Sequence, residues 1–278
     1  MNDSESTSIR RISCGDIELA VQDAGSSSHD ALLFVHAFPL NRRMWAPQIS
    51  ALSGEMHCIA PDLRGFGESG TGGPWTMDRF ADDLACVLDS LNVQRTVVCG
   101  LSLGGYITLA FWRRHPDRVR ALVLADTRAQ PDSEEGREKR RGTIRKAQEE
   151  GAQVIADDSI TGLLGKTTRE QDGEAVSTAR AILSQARVAG IVGASEAMMN
   201  RPDSTPTLAT ITVPTLVIVG AEDALTPPKD SRTMANAIAN AKLDEIPGAG
   251  HLSNIERPAA FTHALRDFVS SLPPDSQP

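Results

Sequence analysis

The sequence lacks the marks of several protein classes. Its four cysteines, Cys14, Cys58, Cys86 and Cys99, show no C-x-x-C spacing, so no metal knuckle or dithiol redox motif is written into the chain and no disulfide framework is implied. Cys58 and Cys99 fall in apolar, strand-like runs, where a buried thiol is the usual outcome. Positive charge is in deficit: 28 Lys+Arg against 36 Asp+Glu leave a net charge of −8, which argues against nucleic acid or an anionic membrane as the partner. The cluster Arg137-Glu138-Lys139-Arg140-Arg141 is interleaved with Glu134, Glu135, Glu149 and Glu150 at helix-surface spacings and reads as a solvated face. No stretch approaches the roughly 18 apolar residues of a membrane span. The start, Met1 to Ser6, is polar and acidic with no basic segment leading into an apolar one, so cytoplasmic residence is the expectation. Histidine, cysteine and carboxylate nowhere gather at metal-ligand spacing, and no metal or organic cofactor is called for.

What the chain has is alternation of short apolar runs with amphipathic segments, which predicts an α/β fold around a mostly parallel sheet. After a polar tail, Ile9–Cys14 and Ile17–Gln22 read as a hairpin at a sheet edge. Ala31–Val35, Met56–Pro61, Thr96–Cys99 and Ala121–Ala125 follow as strands three to six. Between them, Met44–Leu52 and Met77–Asn92 are one-sided helices, the latter with Phe80, Leu84, Val87, Leu88 and Leu91 on one face. The alternation then stops for residues 128–210, where helix-like stretches at 133–150, 152–164, 170–189 and 191–200 lead to a loop at 201–206. Their apolar residues suffice for one face but not for an independent core, which predicts a helical cap (128–210) on a core formed by 1–127 and 211–278. Thr215–Val219, a helix at Ser231–Ala241, Lys242–Ile246 and a helix at Pro258–Leu272 complete the core, and 273–278 form a tail.

The chemistry centres on Gly100-Leu101-Ser102-Leu103-Gly104, a G-x-S-x-G turn between a buried strand and an apolar helix. Such a turn is too tight for side chains on either side of the serine. It leaves the Ser102 hydroxyl projecting beyond the sheet edge, with the first N–H groups of the helix at Leu103 beside it. Serine needs a base, and the base a carboxylate to fix its tautomer and stabilise its charged form. Downstream, Asp223 follows the Thr215–Val219 strand and His251 follows the glycine loop Pro247–Gly250, giving the order Ser, Asp, His. Asp126, at the end of the preceding strand, is the rival acid. Phe38, in the loop His36-Ala37-Phe38-Pro39 after the third strand, is the candidate second oxyanion donor, with His36 expected to hydrogen-bond loop backbone. Asp62 and Arg64 are expected to brace neighbouring loops rather than to clamp substrate. Met198 and Met199 are candidates to line the substrate pocket, as flexible side chains suited to apolar groups.

On these motifs, together with Asp62–Ser69 and Gly220-Ala221-Glu222-Asp223, residues 10–272 resemble the α/β-hydrolase superfamily. The resemblance implies an eight-stranded α/β-hydrolase fold with a helical cap inserted after the sixth strand. It also implies Ser102, Asp223 and His251 as catalytic residues, with the N–H groups of Phe38 and Leu103 as the oxyanion hole. Ala37 departs from the glycine that relatives usually carry. A serine nucleophile excludes the haloalkane dehalogenase and epoxide hydrolase types, which use aspartate. The expected activity is that of a carboxylic-ester hydrolase on small to medium, largely apolar esters or lactones. Alternatives are a lactonase, since the elbow is similar to that of 3-oxoadipate enol-lactonases, a C–C bond hydrolase, a hydroxynitrile lyase, a cofactor-free perhydrolase or haloperoxidase, and a non-catalytic small-molecule receptor. The oligomeric state cannot be read from the sequence.

Overall fold

The structure, a computed structural model, describes residues 8–273; the polar N-terminal stretch and residues 274–278 of the expected tail lie outside the described residues. Eight strands form one sheet: β1 (Ser8–Cys14), β2 (Ile17–Ala24), β3 (Ala31–Val35), β4 (His57–Pro61), β5 (Thr96–Leu101), β6 (Val119–Ala125), β7 (Thr215–Gly220) and β8 (Ala241–Ile246). Their order is β1-β2-β4-β3-β5-β6-β7-β8. β1 pairs with β2, and β2 with β4, antiparallel; every other pairing is parallel. Burial on both faces accounts for the continuous apolar runs of β3 to β7.

Successive strand residues point to opposite faces, and the core divides accordingly. Leu33, Val35 and Val98 pack beneath α2 (Met77–Ser90) and α3 (Leu103–Arg114), which lie with α10 (Pro228–Ala237) on one face. Leu32, Phe34, Val97 and Cys99 meet α1 (Ala46–Leu52), α11 (Ser253–Glu256) and α12 (Pro258–Ser270) on the other. Between β6 and β7 the chain makes six helices: α4 (Glu134–Glu150), α5 (Ala152–Leu163), α6 (Lys166–Gln171), α7 (Gly173–Leu183), α8 (Val188–Met199) and α9 (Thr205–Leu208). The insertion's separate apolar cluster consists of Ala147, Ile155 and Ile191, and α4 buries only Ala147. The rest of the insertion's apolar surface joins the core of the sheet.

Several element boundaries differ from those expected. The helix expected over 170–189 takes in the end of α6, all of α7 and the start of α8, because the backbone leaves helical geometry at Asp172, whose carboxylate caps α7 by accepting the Ala175 N–H, and again between Leu183 and Val188. The helix expected from Ser231 begins at Pro228, since proline in the first turn loses no hydrogen bond. The loop expected at 201–206 runs into the short α9.

The expectation of no disulfide is corrected: Cys14 of β1 is bonded to Cys86 of α2, with Cα atoms 5.8 Å apart and a sequence separation of 72. The hairpin edge is thereby tied to the helix beneath it, a contact that no local spacing could announce. Disulfides persist in oxidising compartments, so this bond lends nothing to the expectation of cytoplasmic residence. Cys58 and Cys99 are free and buried, and burial pushes the Cys58 thiol up to about 12. Among the described residues no helix is long and apolar enough to cross a membrane.

Candidate active site

β5 ends at Leu101 and α3 begins at Leu103, so Ser102 alone makes the turn, at φ 57° and ψ −113°. For a residue with a side chain this is a strained backbone that only its surroundings can hold. They do so through four hydrogen bonds. The Ser102 N–H donates to the Ala125 carbonyl (3.0 Å), and the Ser102 carbonyl accepts from the Gly105 N–H (2.9 Å), the Tyr106 N–H (3.2 Å) and the Thr127 hydroxyl (2.9 Å). The flanking glycines are required by space. A Cβ on Gly100 would stand 2.2 Å from the Gly104 carbonyl oxygen, and one on Gly104 would stand 2.1 Å from the Val35 carbonyl oxygen.

Asp223 and His251 reach Ser102 from the ends of β7 and β8. Asp223 Oδ1 accepts the N–H groups of Leu225 (2.8 Å) and Thr226 (3.0 Å), and Oδ2 accepts the Thr226 hydroxyl (2.7 Å) and His251 Nδ1–H (2.8 Å). With Nδ1 donating, His251 Nε2 is the acceptor for the Ser102 hydroxyl, at 2.8 Å. Asp223 and His251 are buried while Ser102 is partly open. Burial by itself would raise the Asp223 carboxyl, but the His251 imidazole and the Thr226 donors outweigh it and hold the group below the usual carboxylate range.

Asp126 makes no hydrogen bond to His251. Its Oδ1 accepts the Gly220 N–H (2.8 Å) and its Oδ2 the Ser253 hydroxyl. It is fully buried, and burial, reinforced by the nearby Asp223 charge, pushes its carboxyl well above the ordinary value. The rival acid is thus a brace between β6, β7 and α11.

The loop after β3 brings Phe38 to the same opening. His36 is buried with its Nδ1 against the Ala37 carbonyl (2.9 Å) and its Nε2 accepting the Leu63 N–H (3.0 Å), the backbone role expected of it. The N–H groups of Phe38 and Leu103 have no acceptor among the described residues. Asp62 and Arg64 brace loops: Asp62 accepts from the Arg42 N–H and guanidinium and the Glu68 N–H, and Arg64 grips Asp83 through two nitrogens (2.6 and 2.8 Å).

Ser102 and His251 open into a cavity of about 600 Å³. Phe38, Tyr106, Leu163 and Leu225 give it an apolar part. Met198 lines it, but Met199 does not and is a partly buried residue elsewhere on α8. Neighbouring residues on a helix point about 100° apart, so only one of the pair can face the cavity. The remaining wall is polar, with Arg128, Asp132 and Arg140 from the insertion. Arg140, expected on a solvated face, therefore faces inward; that polar side carries no hydrophobic period by which the sequence could have revealed it. Thr226 was likewise missed, although its place three residues after Asp223 suits a hydroxyl folding back on a carboxylate. Among the described residues no group of His, Cys, Asp and Glu could hold a metal ion.

A sheet of this order carrying a strained serine, an imidazole and a carboxylate in hydrogen-bonded series defines a hydrolase scaffold. Residues 30–258 match the alpha/beta hydrolase fold family, and the chain belongs to it. It is 30% identical to 3-oxoadipate enol-lactonase 2 of Acinetobacter baylyi over 251 residues, 90% of this chain and 92% of that protein. A thermophilic esterase from Thermogutta terrifontis, solved with malate bound, superposes with a TM-score of 0.91 at 39% identity, covering 95% of this chain and 99% of the esterase. The enol-lactonase from Burkholderia xenovorans LB400 superposes at 0.87 with 30% identity, covering 94% and 100%.

Proposed function

We propose that the protein is a serine hydrolase of carboxylic esters that works through an acyl-enzyme. The observation that carries this reading is the unbroken series from the Asp223 carboxylate through His251 to the Ser102 hydroxyl, each link 2.8 Å, opening into a cavity. Ser102 Oγ attacks the ester carbonyl while His251 Nε2 takes its proton and passes it to the leaving alkoxide. Water then attacks the acyl-serine by the same path, with His251 again as base, and releases the acid. Asp223 holds the imidazole in the tautomer this needs and stabilises the imidazolium. The Phe38 and Leu103 N–H groups, which have no acceptor among the described residues, receive the developing oxyanion, and the N-terminal end of α3 adds its dipole. The helices of 128–210 act as a cap over the acyl pocket.

A lactone is a cyclic ester and fits the same steps, and the likeness to enol-lactonases at 30% identity supports that second reading. The test is hydrolysis of 4-nitrophenyl esters from acetate to decanoate, with a lactone in parallel, by wild type and Ser102→Ala. Turnover that Ser102→Ala lowers by about 10⁴-fold or more is expected. Turnover that survives the substitution contradicts the reading.

A further inference from the structure

We propose that Arg128 and Arg140 form an anion subsite in the cavity, and that the ester cleaved at Ser102 carries a free carboxylate on the part lying beneath the helical insertion. The proposal rests on the ester-hydrolase reading above and replaces the expectation of a largely apolar substrate.

One buried carboxylate gathers three guanidinium groups. Asp132 lies 2.8 Å from Arg201 Nη1, 3.1 Å from Arg140 Nε and 3.5 Å from Arg128 Nη2. Burial would raise its carboxyl, but Arg140 and Arg201 outweigh this and keep it ionised. Three cations on one anion leave a local surplus of two positive charges, inside a protein whose net charge is −8.

The three arginines are not equivalent. Arg201 is buried, stacks on Tyr106 at 4.1 Å, and gives both terminal nitrogens to the protein, to the Met198 and Gln130 carbonyls (2.9 Å each) and to Asp132; its Nε, like that of Arg128, is buried without a partner, but Arg201 does not line the cavity. Arg128 and Arg140 line the cavity that Ser102 lines. Arg140 is hydrogen-bonded to Asp132 through Nε, and its terminal nitrogens make no further hydrogen bond among the described residues. Its guanidinium sits over the Phe38 ring at 5.9 Å, on the loop that carries the candidate oxyanion donor. Arg128 Nε is buried without a partner. A partly enclosed guanidinium with donors to spare is costly to maintain, and its fork matches a carboxylate.

The other charged groups around the cavity cancel: Lys139 pairs with Glu135 at 2.8 Å and Lys146 with Asp158 at 2.5 Å. The surplus therefore resides in Arg128 and Arg140.

The test compares kcat/KM for the monomethyl esters of succinate, glutarate and adipate with that for the methyl ester of the alkanoic acid of equal chain length, followed by pH-stat. Wild type is expected to prefer at least one charged ester by tenfold or more. The ratio of charged to neutral should fall about tenfold in Arg128→Gln and in Arg140→Gln, through KM of the charged ester, as loss of a charge-assisted hydrogen bond implies. A purely structural brace would slow both esters alike and leave the ratio where it was, which overturns the proposal, as does a wild type that favours the neutral esters. Should neither set be hydrolysed, the ester-hydrolase reading is decided by the 4-nitrophenyl esters and the lactone above, and the subsite is judged by thermal shift with sodium glutarate against sodium chloride of equal ionic strength. Stabilisation of wild type that both variants lose supports the subsite; no stabilisation overturns it.

Discussion

Asp223 and Asp126 stand just past the ends of neighbouring parallel strands, both buried and both hydrogen-bonded, yet their surroundings shift their carboxyls in opposite directions. Asp223 receives three protein donors and an imidazole that becomes a cation in the proposed cycle, and its carboxyl is held low. Asp126 receives one N–H and one hydroxyl, both neutral, with a second carboxylate nearby, and its carboxyl is driven up. The strand end offers a place for an acid, and the groups around it decide which way its carboxyl shifts. That is the difference between a group able to steady an imidazolium and one that fastens strands together.

The largest effect that can break this comparison is on turnover. Asp223→Asn leaves His251 without an anionic partner and should lower kcat for a 4-nitrophenyl ester by about 10⁴-fold, whereas Asp126→Asn, which keeps an acceptor for Gly220 and a partner for Ser253, should change kcat/KM by less than about tenfold. Equal losses in the two variants would show that the two carboxylates act as one unit. A perturbation remote from both sharpens the contrast: reducing the Cys14–Cys86 bond, which closes a 72-residue separation, should cost about 2–5 kcal/mol of stability. Scanning calorimetry should show Tm falling by about 5–15 °C, with turnover at 25 °C unchanged.

The smallest effect concerns pH. The Asp126 carboxyl is raised on folding, so its contribution to stability is complete below the ordinary carboxylate value and is lost as pH rises through the folded value. Asp126→Asn should therefore raise Tm at pH 8, by about 2–4 °C for each kcal/mol recovered, and the gain should vanish near pH 4. Asp223, lowered on folding, has the reverse sign: its contribution is present above the ordinary value and lost as pH falls through the folded one. A Tm gain for Asp126→Asn that is independent of pH would show that Asp126 is not the titrating group.

The parts of the site visible in the sequence are those where the backbone permits no substitute. Gly100 and Gly104 are demanded by the 2.2 and 2.1 Å approaches that a Cβ would make, and the spacing around Ser102 therefore survives as a readable motif. Asp223 and His251 follow strands whose apolar runs are plain. Chain order does not separate Asp223 from Asp126, since both lie between Ser102 and His251, and the deciding donors, Thr226 and Ser253, are ordinary hydroxyl residues placed by folding. The wall built by the insertion was still less visible: Arg140 lies in a charged run that resembles any solvated helix, and although Asp132 is only four residues from Arg128, nothing in the sequence announces that Arg201 will share it. The Cys14–Cys86 bond was hidden for the same reason, two residues joined only by the tertiary path of the chain.

The claim on which the rest depends is that Ser102 carries the acyl group during turnover. Rapid mixing with a slowly deacylated 4-nitrophenyl ester, acid quenching and peptide mass spectrometry measure this directly. The account predicts a burst of 4-nitrophenol together with an acyl mass on the peptide containing Ser102, both absent in Ser102→Ala. Steady turnover with no burst and no adduct, unchanged in Ser102→Ala, would contradict it.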